Sequence, residues 1–96
     1  MLEMRPVCEH CGKTLPPNSE DAMICTFECT FCKNCVEKIL HNVCPNCGGG
    51  FSQRPVRPKE CLRTYPPTLE RKWAPVDIDT FSRLFNKYAK VPPKDR

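Results

Sequence analysis

A small α+β domain, stapled by metal in place of a large apolar core and followed by a C-terminal helix, is the fold class that three features of this sequence predict. Eight cysteines fall within forty residues, at Cys8, Cys11, Cys25, Cys29, Cys32, Cys35, Cys44 and Cys47, in closely spaced pairs. The cysteine-rich part is only about fifty residues long, too short to bury much apolar surface. The hydrophobic period also changes after Cys32, from the alternation of a strand to the three-to-four spacing of a helix.

The cysteine spacing carries the chemistry. Two residues separate Cys8 from Cys11, Cys32 from Cys35 and Cys44 from Cys47; three separate Cys25 from Cys29. A tight turn of that length aims two thiolates at one tetrahedral ion, and eight thiolates fill two four-cysteine zinc sites. Two zinc ions are therefore the expected cofactors. Each structural zinc contributes on the order of 10–16 kcal/mol to folding, which replaces the missing core. Disulfides are the competing use of cysteine. Met1-Leu2-Glu3-Met4-Arg5-Pro6 lacks the apolar stretch of a secretory signal, and no run is long enough to span a membrane. A cytoplasmic protein without membrane attachment is expected, with thiols kept reduced for metal.

The elements follow in order. Residues 1–7 read as an extended lead into the first knuckle, Cys8-Glu9-His10-Cys11-Gly12, where Gly12 suits a left-handed turn. After the polar loop Pro16-Pro17-Asn18-Ser19, the run Ala22-Met23-Ile24-Cys25-Thr26-Phe27 alternates as a short strand or hairpin. Val36, Ile39 and Leu40 then share a face, giving a helix of about Asn34 to His41 that opens at Cys32/Cys35. Cys44-Pro45-Asn46-Cys47-Gly48-Gly49-Gly50 forms a second knuckle and a glycine run. Residues 1–52 are thus the expected metal domain. Residues 53–76 form a basic, proline-rich segment with at most a helical turn around Lys59 to Arg63. Residues 77–91 read as an amphipathic helix: Ile78, Phe81, Leu84, Phe85 and Tyr88 share a face, Asp77 or Asp79 caps the start, and Pro92-Pro93 ends it. Such a helix packs on its own domain or docks a partner.

Two divisions of the ligands compete. Sequential sites would use Cys8, Cys11, Cys25, Cys29 and then Cys32, Cys35, Cys44, Cys47; a mixed set with a Cys29/Cys32 knuckle is a further arrangement. Interleaved sites would use Cys8, Cys11, Cys32, Cys35 for one ion and Cys25, Cys29, Cys44, Cys47 for the other. Interleaving is favoured because it sets Cys32/Cys35 at a helix start, where free N–H groups and the helix dipole stabilise thiolates.

The order of knuckle, loop, Cys25, Cys29-Thr30-Phe31-Cys32-Lys33-Asn34-Cys35-Val36-Glu37-Lys38-Ile39-Leu40 and Cys44-Pro45-Asn46-Cys47 resembles a RING finger with cysteine where a histidine is usual, at Cys29. The resemblance implies a RING-like or treble-clef cross-brace. More closely, Met1 to about Arg71 is similar to a small bacterial family of unknown function, number twelve seventy-two. The residues that carry this are Met1-Leu2-Glu3-Met4-Arg5-Pro6, Leu15-Pro16-Pro17, Asp21-Ala22-Met23-Ile24-Cys25 and Cys44-Pro45-Asn46-Cys47-Gly48-Gly49. This resemblance implies a bacterial cytoplasmic zinc protein and brings no activity with it.

Four function classes were open to such a chain. The leading expectation is a non-enzymatic protein-interaction or scaffold module with an unknown protein partner. The alternative is nucleic-acid binding by the basic segment. Residues 51–96 carry eleven Lys/Arg against five Asp/Glu, and residues 1–50 carry four against six. Counting thiolates and two dications, the halves come to about −6 and +6. Candidate contacts are Arg54, Arg57, Lys59, Arg63, Arg71 and Lys72, with Tyr65 and Trp73 to stack on bases. A ubiquitin-ligase-like role docking a conjugating enzyme is what the RING resemblance implies, through Pro45 and Leu40. Glu9-His10 and Gly48 depart from that pattern. Metal-assisted catalysis is disfavoured because eight thiolates close both sites, and no catalytic constellation accompanies them. His10 is expected to orient a ligand, His41 to meet free helix carbonyls, and Cys61 to make a small apolar contact.

Overall fold

Ala22-Met23-Ile24 forms β1 (Ala22–Ile24), with Ala22 buried and Met23 packed against the core, and reverses through Cys25–Cys29 into β2 (Thr30–Cys32), buried along its length. These elements come from a computed structural model that describes residues 1–96. The strands pair antiparallel, with Ala22 opposite Cys32, Met23 opposite Phe31 and Ile24 opposite Thr30. Glu28 takes a positive φ of 63° to make the reversal. A third strand, β3 (Ser52–Gln53), pairs with the other edge of β1, so the sheet order is β2-β1-β3. The sequence gives no sign of β3, because its two exposed residues carry no alternation.

Cys32 leads straight into α1, which opens as an α-turn over Lys33–Cys35 and widens into a π-helical segment over Val36–Leu40. The helix therefore begins a residue before its expected start and ends one residue earlier. Val36 and Leu40 are buried while Glu37 and Lys38 stay in solvent. His41 and Asn42 end it with positive φ of 48° and 61°, a conformation usually left to glycine. Asn42 holds that turn in place: its Oδ1 accepts the Phe51 N–H at 2.9 Å and its own N–H donates to Val36 O at 3.1 Å.

Leu15, Ala22, Phe31, Leu40 and Val43 fill the interior, and Phe51 meets Phe31 edge-on at 5.5 Å. Six of the 13 residues in this buried cluster are cysteines. Apolar side chains alone thus leave the core half built.

Arg54 corrects the sequence reading. It is 1 % exposed, directly after β3, and was expected among the nucleic-acid contacts. Its guanidinium instead donates to Arg5 O at 2.8 Å, Leu15 O at 3.2 Å and Pro16 O at 2.8 Å. A planar five-donor fork is the side chain able to gather carbonyls from two separate segments.

The basic segment contains α2 (Lys59–Thr64), on which Cys61 is exposed and makes no buried contact, contrary to expectation. The chain then returns over the N-terminus. Thr68 N–H donates to Glu3 O at 2.9 Å and Lys72 pairs with the Glu3 carboxylate at 3.7 Å. Asp77 caps α3 (Ile78–Tyr88), accepting the Asp79 N–H at 3.1 Å and the Thr80 hydroxyl at 3.0 Å. Phe81 is buried and Leu84, Phe85 and Tyr88 lie against the core, so α3 packs on its own domain. Ile78, placed on that face by periodicity, is 54 % exposed in the first turn. No helix is long and apolar enough to cross a membrane.

Gly48 is where α3 meets the second knuckle. Its φ is +79°, and a Cβ there would stand 2.7 Å from Tyr88 Cε2. Gly48→Ala is therefore expected to lose about 1–3 kcal/mol through backbone strain and to displace Tyr88. Thermal unfolding and faster amide exchange along α3 would show it; an unchanged melting temperature would contradict the close packing.

Candidate metal centre

The first and second knuckles are the same turn built twice. In the first, Cys8 N–H donates to Lys13 O at 2.8 Å and Gly12 N–H to Cys8 O at 3.0 Å. In the second, Cys44 N–H donates to Gly49 O at 2.8 Å and Gly48 N–H to Cys44 O at 2.8 Å. Gly12 and Gly48 both sit near φ +80°, at 78° and 79°. Glycine reaches this conformation without steric cost, which is why each knuckle reads Cys-x-x-Cys-Gly.

The Sγ atoms of Cys8, Cys11, Cys32 and Cys35 all lie within 4.8 Å of one another. Cys11 and Cys32 Sγ stand 3.7 Å apart. Four thiolates about 2.3 Å from a central zinc would be separated by roughly 3.8 Å, so the spacing fits such an ion. The sulfurs of Cys25, Cys44 and Cys47 form a second group under the same limit. The first group is the set that the interleaved division gives to one ion, and the second holds three of the four cysteines of the other. Cys29 stands outside the second trio: its sulfur adjoins the Cys44 and Cys25 thiols and accepts from Asn46 Nδ2 at 3.4 Å.

Backbone N–H groups aim at several sulfurs, from Phe27 to Cys25 at 3.3 Å and from Gly49 to Cys47 at 3.4 Å. Such donors stabilise thiolate over thiol. Without a cation the clusters still resist full ionisation. Burial pushes Cys25 up to about 11, and raises Cys32 and Cys35 as well. The proton that Cys44 shares with Cys29 raises Cys44, with burial adding to it. The same Cys44 thiol donates to Cys29 and holds it near 5. At Cys11 burial is the largest single influence and acts upward, but hydrogen bonds from the Lys13 backbone and neighbouring thiols outweigh it, and the net direction is down. Protons and a dication therefore compete for the same sulfurs.

Glu9 and Asn46 brace the two knuckles. Glu9 Oε1 accepts from Asn46 Nδ2 at 3.0 Å while Glu9 N–H donates to Thr30 O at 2.9 Å. Burial raises the Glu9 carboxyl, partly offset by the Asn46 bond. No sequence pattern marks this tie, since Glu9 and Asn46 are 37 residues apart.

Neither histidine joins a thiol group. His10 Nδ1 accepts the Val76 N–H at 2.9 Å, and its carbonyl accepts from Trp73 Nε1 at 3.1 Å. With Ala74 N–H on Glu9 O at 2.8 Å, these bonds lay residues 73–76 as a strap across the first knuckle. His41, expected to meet free carbonyls, instead turns its ring edge-on to Phe85 at 5.4 Å.

The structure divides the candidate nucleic-acid contacts. Arg54 is interior, Arg57 donates to the Tyr65 carbonyl at 2.6 Å and to that of Leu2, and Lys72 is paired with Glu3. Lys59, Arg63 and Arg71 are exposed, as are Tyr65 and Trp73.

Residues 1–57 match the family described as "Protein of unknown function (DUF1272)", a span that contains all eight clustered cysteines. An uncharacterized protein of Rhizobium meliloti (strain 1021) is 56% identical over 75 residues, covering 78% of this chain and 89% of that protein. No solved structure matches.

Proposed function

The chain belongs to the DUF1272 family, and we propose that it is a cytoplasmic, non-enzymatic interaction module held in shape by two zinc ions. The observation that carries this reading is the pair of thiol groups. A tetrahedral all-sulfur set selects zinc or an iron–sulfur centre. Cys8, Cys11, Cys32 and Cys35 would hold one ion; Cys25, Cys44 and Cys47 would hold the other, with Cys29 closing the set. Zinc bound this way has no open position for water or substrate, so what it supplies is folding energy and a rigid platform.

The platform supports protein contact better than ligase-type docking. The face formed by Pro45, Asn46 and Glu9 is lined on its other side by Ala74, Val76 and Phe81 of the same chain. An incoming enzyme would have to displace the strap. Elsewhere Phe27 and Leu69 stand in solvent, Leu69 at 92 % exposure, and a partner protein would cover them. The nucleic-acid alternative retains Lys59, Arg63 and Arg71 with Tyr65 and Trp73, after losing Arg54 to the interior.

Native mass spectrometry of the purified protein, alone and after pull-down from its host, tests both readings. Two zinc ions per chain and a recurrent protein partner are expected. One ion, an iron–sulfur chromophore or disulfides would overturn the metal assignment. Co-purifying nucleic acid released steeply by salt would transfer the function to the alternative.

A further inference from the structure

The two thiol groups are unequally enclosed. Around Cys25, Cys44 and Cys47 two residues are buried and the third is half-buried. Tyr88 of α3 lies over Gly48 in their knuckle, and Arg96 Nη1 donates to Gly48 O at 3.1 Å and Asn42 O at 2.7 Å. In the other group Cys8, Cys32 and Cys35 are buried but Cys11 is exposed. Cys11 opens on a groove of about 520 Å³ lined by Val7, Gly12, Arg71 and Trp73. Arg71 enters none of the chain's ion pairs, so its charge is available in that groove.

Resting on the two-zinc reading, we propose that the ion held by Cys8, Cys11, Cys32 and Cys35 is exchangeable, entering and leaving at Cys11 with a small anionic chelating molecule drawn by Arg71, while the other ion stays in place until chelator is in excess. Removal of a thiolate-bound ion by a chelator requires a new donor to reach it as an old one leaves. A sulfur buried on all sides denies that approach, and Cys11 admits it. Cys11 yields its place to the incoming donor, keeps its electron pair and takes a proton from water, so no electron changes hands. The guanidinium of Arg71 raises the local concentration of an anionic chelator, as charged clefts do for ligands of opposite sign. An aminocarboxylate and a cellular anionic thiol share this chemistry.

Trp73 supplies the reporter. It is the chain's single tryptophan, and its indole bonds to His10 O and lies so close to Gly12 that a Cβ added there would stand 3.4 Å from Nε1. The full-length, two-zinc protein is treated with limiting EDTA, and the one-ion species is alkylated and mapped by mass spectrometry. Labelling at Cys8, Cys11, Cys32 and Cys35, with a change in Trp73 fluorescence during loss of the first ion, is expected. Exposed Cys61 labels throughout and serves as the internal control. Labelling of Cys25, Cys29, Cys44 and Cys47 in the one-ion species, or departure of both ions together, overturns the proposal. Arg71→Glu should slow transfer to EDTA about three- to tenfold and leave transfer to neutral phenanthroline unchanged. Equal rates to EDTA would overturn the entry route. A protein purified without two zinc ions would instead sink the metal reading itself, a separate result.

Discussion

Removal of both ions by excess chelator is expected to unfold residues 1–53 outright. The sheet comprises strands of three, three and two residues, and nearly half of the buried cluster is cysteine. Typical domains are stable by only about 5–15 kcal/mol. Structural zinc contributes on the order of 10–16 kcal/mol per site, so its loss exceeds the whole margin. The helix α3 should come free as well, because it packs on Gly48 and His41 of the cysteine-rich region. Far-UV circular dichroism and amide exchange would read this directly. A metal-free, reduced protein with native-like protection in β1 and β2 would refute it. Single substitutions localise the effect. Cys32→Ser and Cys8→Ser should each leave one ion per chain, with Cys25, Cys44 and Cys47 still protected. Protection of Cys8, Cys11, Cys25 and Cys29 after Cys32→Ser, with Cys44 and Cys47 labelled, would mean that the sites are sequential.

The parts of this fold that were legible in the sequence are those specified by local chemistry. Cys-x-x-Cys-Gly announces a knuckle because the turn geometry is fixed within five residues, and Asp77 announces a helix start because an N-cap bonds two or three residues ahead. The gathering of Cys8 and Cys11 with Cys32 and Cys35 is also within reach, through the change of period at Cys32. What stayed hidden depends on distant partners. β3 exists because Ser52 and Gln53 find the free edge of β1, with nothing in their own two residues to say so. The strap is held by bonds such as Val76 to His10, 66 residues apart. Charge patterning misleads most at Arg54, because nothing within a basic segment distinguishes an interior arginine from a solvated one.

Arg54→Ala is expected to destabilise the metal-loaded protein by about 3 kcal/mol or more without changing its ion count. The carbonyls of Arg5 and Leu15 would lose their donor at once, and that of Pro16 would keep only the Ser19 N–H at 2.9 Å. An unsatisfied buried polar group costs about 1–3 kcal/mol, and the cavity left by the side chain adds to that. Two features work in the opposite direction. Arg54 Nε has no partner, and burial lowers the guanidinium pKa, so the native charge is itself a strain on the fold. The net loss should thus fall short of the sum of its parts. Arg54→Lys keeps a charge but not the fork, and a single ammonium cannot reach both segments in the same way. Its loss should be intermediate. Urea unfolding of the zinc-loaded variants, with ion counts by native mass spectrometry, separates this clamp from the metal sites. A shift below about 1 kcal/mol for Arg54→Ala would contradict the interior role, because a solvated surface arginine is the residue whose removal costs that little.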